Sequence, residues 1–163
     1  MITPKPTRPI SLARALALRL AARRAGRKVV FTNGVFDLLH VGHARYLAAA
    51  RRLGKTLIVG LNADASVRRI KGPKRPIVPQ AQRAEMLLAL GCVDHVVLFG
   101  DETPFRLIST LKPDFLVKGA DWAADDIVGA DIVRAAGGRV VRIRIAPGWS
   151  STNLIKRVLS AYK

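Results

Sequence analysis

Between residues 28 and 47 the chain reads KVVFTNGVFDLLHVGHARYL: a β-branched run, a glycine turn, a His-Val-Gly-His quartet and the start of a helix. Val29, Val30, Phe31 and Thr32 are strand formers without polar alternation, as in a parallel strand buried on both faces. At Asn33-Gly34 the glycine permits a backbone conformation and a close approach that a side chain would block. From Gly42 onward Tyr46, Leu47, Ala50 and Leu53 recur at helical spacing, which puts His43 in or beside a first helical turn. Free backbone N–H groups and the positive dipole end collect there, a setting suited to an anion.

The remaining pattern alternates strands with helices. A Pro-rich arm over residues 1–10 precedes a helix over 11–25, capped by Ser11, striped by Leu12, Leu16 and Leu20 and stopped at Gly26. Strands are expected at 29–32, 56–61, 93–99, 115–118 and 139–145, the last an edge strand because Arg alternates with Val and Ile. Helices are expected from Gly42, over 62–70, over 80–90, from Thr103-Pro104 to 111, from Asp125 or Asp126 to 136, and over 150–161. The KGPKRPIVP segment from Lys71 is a basic loop that its prolines keep irregular. Five strands alternating with helices imply one α/β domain over 1–163, Rossmann-like and doubly wound, with helices on both faces and a ligand crevice beyond the carboxyl ends of the strands.

Composition bounds the partners. The chain has 163 residues, 50% of them hydrophobic, enough for a single core. Lys and Arg number 28 against 11 Asp and Glu, a formal charge of +17 that suits a polyanion of some kind. Aromatics make up only 6% of the chain, too few on a basic face for a nucleic-acid-binding module built on base stacking. The single Cys92 excludes an internal disulfide and is too isolated for a zinc cluster, which points to a reducing cytoplasm. No apolar run reaches the roughly 20 residues needed to span a bilayer, so no membrane partner is expected.

The topology gathers several polar clusters at one end of the sheet: Asn33 with His40 and His43, the loop with Lys71, Lys74 and Arg75, Lys118 with Asp121-Trp122, and Ser150 to Thr152. His40 and His43 could ligate a metal, serve as buried structural residues or contact phosphate. No carboxylate or thiolate set completes a metal site, Asp37 and His95 being the only candidates near in sequence, and this favours phosphate. Arg83 could bridge to phosphate or pair with a carboxylate. Ser150, Ser151 and Thr152 cap a helix and offer hydroxyls to an anion. Trp122 suits a lip for a base, and Asp121 an acceptor for a ribose hydroxyl. The chain has no Walker sequence and no Gly-rich dinucleotide fingerprint after the first strand, which disfavours a nicotinamide enzyme.

The His-x-Gly-His motif and the late Ser-Ser-Thr helix start resemble the nucleotidylyltransferase superfamily. FTNGVFDLLHVGHARYL, GLNADASVRRIKGPKRPI, RAEMLLALGCVDHVV, LKPDFLVKGADW and IVGAD, within residues 11–160, resemble its adenylyltransferases that convert heptose 1-phosphate to ADP-heptose, a precursor of bacterial surface polysaccharide. Many such domains follow a sugar kinase, which this sequence lacks. Val41 stands where many relatives carry Pro and Ser151 where they carry Thr, and neither change removes a needed donor. Glycerol 3-phosphate cytidylyltransferases share the skeleton more loosely and are the nearest alternative.

The resemblance implies in-line attack by the oxygen of a sugar 1-phosphate on the α-phosphorus of ATP, without a covalent enzyme intermediate. It implies catalytic roles for His40, His43 and Lys71. Nucleotide contacts fall to Thr32, Asn33, Gly34, Phe36 and Gly42, to Gly119, Asp121 and Trp122, and to Ser150, Ser151 and Thr152. Arg75, Arg83 and Lys118 are phosphate helpers. Mg²⁺ rides on the ATP phosphates rather than on a protein metal site, and a homodimer is expected. An attacking phosphate needs no base, so Asp37 is read as a turn-fixing residue.

Overall fold

The computed structural model describes residues 8–120, 123, 126–144, 148 and 150–162. Strands β1 (Val29–Gly34), β2 (Thr56–Asn62), β3 (His95–Phe99), β4 (Phe115–Gly119) and β5 (Arg139–Ile143) form one parallel sheet in the order β3-β2-β1-β4-β5. The helices are α1 (Leu12–Arg24), α2 (Val41–Arg51), α3 (Asp64–Lys71), α4 (Gln80–Ala89), α5 (Phe105–Leu111), α6 (Ala130–Ala135) and α7 (Ser151–Ala161).

The period of two along each strand divides the core. Val30, Leu57, Val59, Leu61, Val96 and Val117 face α2 and α4, packing with Leu47, Ala50, Ala84, Leu87 and Leu88. Val29, Phe31, Ile58, Val97 and Leu116 face the other way, against Ala15 of α1, Leu107, Ile108 and Leu111 of α5, and Val133 of α6. Both sheet faces are therefore covered, which explains why these strands read as unbroken apolar runs. β5 lies at the edge expected of it, with Arg139 and Arg142 exposed. After β3 the chain crosses back to lay β4 beside β1, so the strand order reverses between β1 and β4 and a crevice opens at their carboxyl ends.

Three expectations shift. In α1 the residues turned inward are Ala15 and Arg19, while Leu20 is 45% exposed. Arg19 donates to the Lys112 carbonyl at 3.0 Å and lies 3.1 Å from the Asp114 carboxylate, a pairing across more than 90 residues that sets the helix rotation, with Leu12 and Leu16 still packed in part against the core. α6 begins at Ala130 rather than near Asp126, because Gly129 adopts φ 78, outside a right-handed helix; Asp125 lies outside the described residues. The expected arm is tied down by Ile10, whose N–H donates to the Val96 carbonyl at 2.8 Å; residues 1–7 are outside the described set.

Gly60, in the middle of β2, is a close-approach glycine. A Cβ there would lie 2.9 Å from the Phe31 ring, 3.1 Å from Leu107 and 3.2 Å from Asn33. Gly60→Ala is expected to cost about 1–3 kcal/mol through overpacking, read as a lowered urea midpoint at unchanged m-value.

Candidate active site

The crevice encloses about 570 Å³. Asn33 and Gly34 from β1 and Lys118 and Gly119 from β4 form its floor. Gly34 is glycine for a visible reason: a Cβ would stand 3.0 Å from the Phe36 ring. Phe36 is itself held at φ 45, a left-handed conformation costly for an aromatic residue, and this folds its buried ring back beneath the crevice. The Asn33 Oδ1 is buried and has no hydrogen-bond partner among the described residues, a polar atom positioned for a ligand to satisfy.

α2 brings the histidines. His40 is its N-cap residue and His43 lies in the first turn, where the early N–H groups have no intrahelical acceptor. The two imidazoles stack with centroids 3.8 Å apart, and the edge of Phe36 meets His43 at 5.2 Å. Only His43 lines the crevice; His40 supports it from behind. Burial, reinforced by the adjacent His40, pushes the His43 imidazole down to about 4, and burial lowers His40 as well. At neutral pH the pair is uncharged in the free protein.

Lys71 ends α3 and reaches the crevice, one residue further into a helix than its loop-like sequence predicts. The loop after it is held by Asp37, which is 3% exposed. Its carboxylate accepts from Arg75 Nε at 2.6 Å, from the Ile77 N–H at 2.9 Å and from the Val78 N–H at 2.9 Å. Burial alone would raise the Asp37 pKa, but these bonds and the Arg75 charge outweigh it and hold the group below its ordinary value. Asp37 is thus a fixing residue, as expected, and what it fixes is the basic loop. Arg75 contributes to the crevice wall while spending its Nε on this bond.

Arg83 belongs elsewhere. It is 1% exposed and donates to the carbonyls of Val78, Val35 and Asn62 and, at 2.7 Å, to the Asp64 carboxylate. The phosphate-helper reading is corrected: the guanidinium is a buried strut, and the carboxylate it pairs with is Asp64. Thr32 is likewise interior, its hydroxyl 2.8 Å from the Tyr46 hydroxyl, and it reaches the crevice only through that tyrosine. Gly42 is buried within α2 and is not part of the crevice lining.

The far wall is the start of α7. Ser150, Ser151 and Thr152 line it; Ser150 Oγ accepts from the Asn153 N–H at 3.1 Å, and the Ser151 hydroxyl donates to the Leu38 carbonyl at 3.2 Å, tying this helix to the histidine loop. Two helix N-termini therefore open on one cavity. Lys118, 9% exposed, adds a cation to the floor. Asp121 and Trp122 lie outside the described residues. Tyr46, Asn62, Glu102 and Thr103 also line the crevice and were not singled out from sequence. Tyr46 was hidden in a helical stripe, and the others follow strand ends without a motif of their own.

A switch-point crevice with cations, helix N-termini and neutral imidazoles on a Rossmann-like fold is an environment suited to phosphate groups. The chain belongs to the cytidylyltransferase-like family, whose model matches residues 31–157. It is 55% identical over 141 residues to the bifunctional protein HldE of Syntrophotalea carbinolica, covering 86% of this chain and 29% of that protein. Against the bifunctional protein HldE of Trichlorobacter lovleyi identity is 56% over 144 residues, covering 88% and 29%. The chain thus spans less than a third of the length of these relatives. A lipopolysaccharide core biosynthesis protein from Thermoplasma volcanium superimposes with a TM-score of 0.61 at 30% identity, covering 74% of this chain and 98% of that one.

The buried His43 imidazole gives a pH prediction. The unfolded chain protonates His43 near the ordinary value of 6.5 and the folded chain only near 4, so acid favours the unfolded state between these values. Stability is expected to fall as pH drops from about 6.5 to about 4, with Asp37 adding a further loss below 3.8, as pH falls through its lowered pKa. Chemical denaturation across that range checks the slope, and the His43 ring signals by NMR should show no titration between pH 5.5 and 8.

Proposed function

We propose that the chain transfers an adenylyl group from ATP to a heptose 1-phosphate, forming ADP-heptose for a surface-polysaccharide precursor. The sugar phosphate oxygen attacks the α-phosphorus, the bond to the bridging oxygen breaks, and pyrophosphate leaves; no proton need be removed from the nucleophile. One observation carries this reading: His43, Lys71, Lys118 and the N-termini of α2 and α7 converge on one crevice at the sheet's switch point. Such a site suits a reaction between two polyanions, in which positioning and charge stabilisation do most of the work.

In this reading the α7 start holds the β- and γ-phosphates, and Lys71 screens the attacking phosphate. His43 donates to oxygens whose charge grows in the transition state, and His40 holds the imidazole in place. Among the described residues no three His, Cys, Asp or Glu side chains converge on a metal site, and Asp37 is already saturated. In this reading Mg²⁺ enters as part of the ATP substrate. The proposal includes a cytoplasmic setting and a homodimer. The second reading is cytidylyl transfer to glycerol 3-phosphate, favoured by the family's description.

A panel of nucleoside triphosphates against sugar 1-phosphates and glycerol 3-phosphate, read by pyrophosphate release, separates the two. ATP with a heptose 1-phosphate is expected to turn over; a preference for CTP with glycerol 3-phosphate would replace the first reading with the second. His43→Ala should lower turnover by about 10²-fold or more with the fold intact. Near-normal turnover would remove His43 from the chemistry.

A further inference from the structure

At the end of the sheet opposite the crevice, β1 and β2 are entered through two short connections, residues 25–28 after α1 and 52–55 after α2. They pack directly on each other. The Lys55 N–H donates to the Lys28 carbonyl at 2.9 Å, and a Cβ at Gly54 would stand 2.6 Å from the same oxygen, so neither connection has room to shift independently. Between them lies a groove of about 560 Å³ whose wall carries Arg27, Lys28, Arg51, Arg52 and Lys55. That volume lies in the range of small-ligand sites.

The neighbouring carboxylates neutralise it only in part, through Arg51 and Lys28. Asp94 is occupied by Arg51 Nε at 2.8 Å and the Leu57 N–H at 2.7 Å. Asp114 is occupied by Lys28 at 3.3 Å, Arg19 at 3.1 Å and the Val29 N–H at 2.8 Å. Arg27, Arg52 and Lys55 are exposed, and among the described residues no carboxylate lies within ion-pair distance of them. Cations are favourable where helices end, and α1 and α2 both end here. Arg51 meets that need for α2, its NH1 donating to the Gly54 carbonyl at 2.6 Å. The surplus cations repel one another in the free protein, which offsets what they gain at the two helix ends.

We propose that this groove is a second anion site, taking a phosphate-bearing ligand independently of the crevice. Guanidinium groups match phosphate oxygens in paired hydrogen bonds, and the wall has two whose carboxylate demand is unmet. No aromatic residue lines the groove, so it recognises the phosphate and not a base. Free polyphosphate and the headgroup of an anionic lipid share that chemistry.

The test uses the full chain and the variant Arg27→Ala/Arg52→Ala/Lys55→Ala, with two probes at about 0.15 M salt. Calorimetry with inorganic pyrophosphate should find one binding site fewer in the variant if the ligand is soluble. Flotation with phosphatidylcholine vesicles doped with phosphatidylglycerol should show roughly 10²-fold weaker association in the variant if the ligand is a headgroup. Either result supports the proposal, and nucleotidyl transfer should be unaffected because none of the three residues lines the crevice. Equal behaviour of the two proteins toward both probes would overturn it. A lowered Tm of the variant alongside that equality would return these cations to the role of helix capping.

Discussion

A guanidinium with almost no exposed surface holds the crevice in shape. Arg83 projects from α4 and joins the exit of β1 at Val35, the exit of β2 at Asn62, the start of α3 at Asp64 and the end of the basic loop at Val78. Burying a cation is costly unless its donors are paired, and here three carbonyls and one carboxylate do so. Every side chain placed in the crevice from the first half of the chain hangs from one of those four points. Phe36 and His43 follow Val35, Lys71 follows Asp64, and Arg75 reaches the wall through the loop that Val78 closes.

Asp37 completes the frame from the other direction. It leaves β1 just before the histidines and gathers the loop that follows α3, so the two sequence segments with the most chemistry are fixed by one carboxylate. With these two buried charges in place, the crevice walls are ordered before any ligand arrives. Asn33 and His43 line the crevice, and the N-termini of α2 and α7 open on it. The arrangement suits an electrostatic site, in which donors aimed in advance at developing charge need no reorganisation during reaction. His43 is uncharged when the site is empty, so an arriving triphosphate would draw a proton toward it, coupling its charge state to occupancy.

Much of this was legible in the sequence because it rests on local pattern. The apolar strands, the Asn33-Gly34 turn, the position of His43 in a first helical turn and the Ser150 cap are set by residues within a few positions of one another. Parallel order and the crevice followed from the alternation of strands and helices. What escaped was set at long range. Arg83 looked like one more cation near a phosphate loop, and its burial depends on carbonyls 5, 21 and 48 residues away. The same holds for Arg19, whose burial in α1 depends on Lys112 and Asp114. Thr32 is a nucleotide contact by resemblance, yet strand alternation turns it inward toward Tyr46.

The proposed chemistry sets His43 against the reacting phosphates in a crevice already formed. Its ring resonances, followed by NMR while the protein is saturated with a non-hydrolysable ATP analogue and Mg²⁺, report on that placement. They are expected to shift on binding, with the pKa rising above its value of about 4 in the free protein. Saturable binding of the analogue with the His43 signals and pKa unmoved would contradict it.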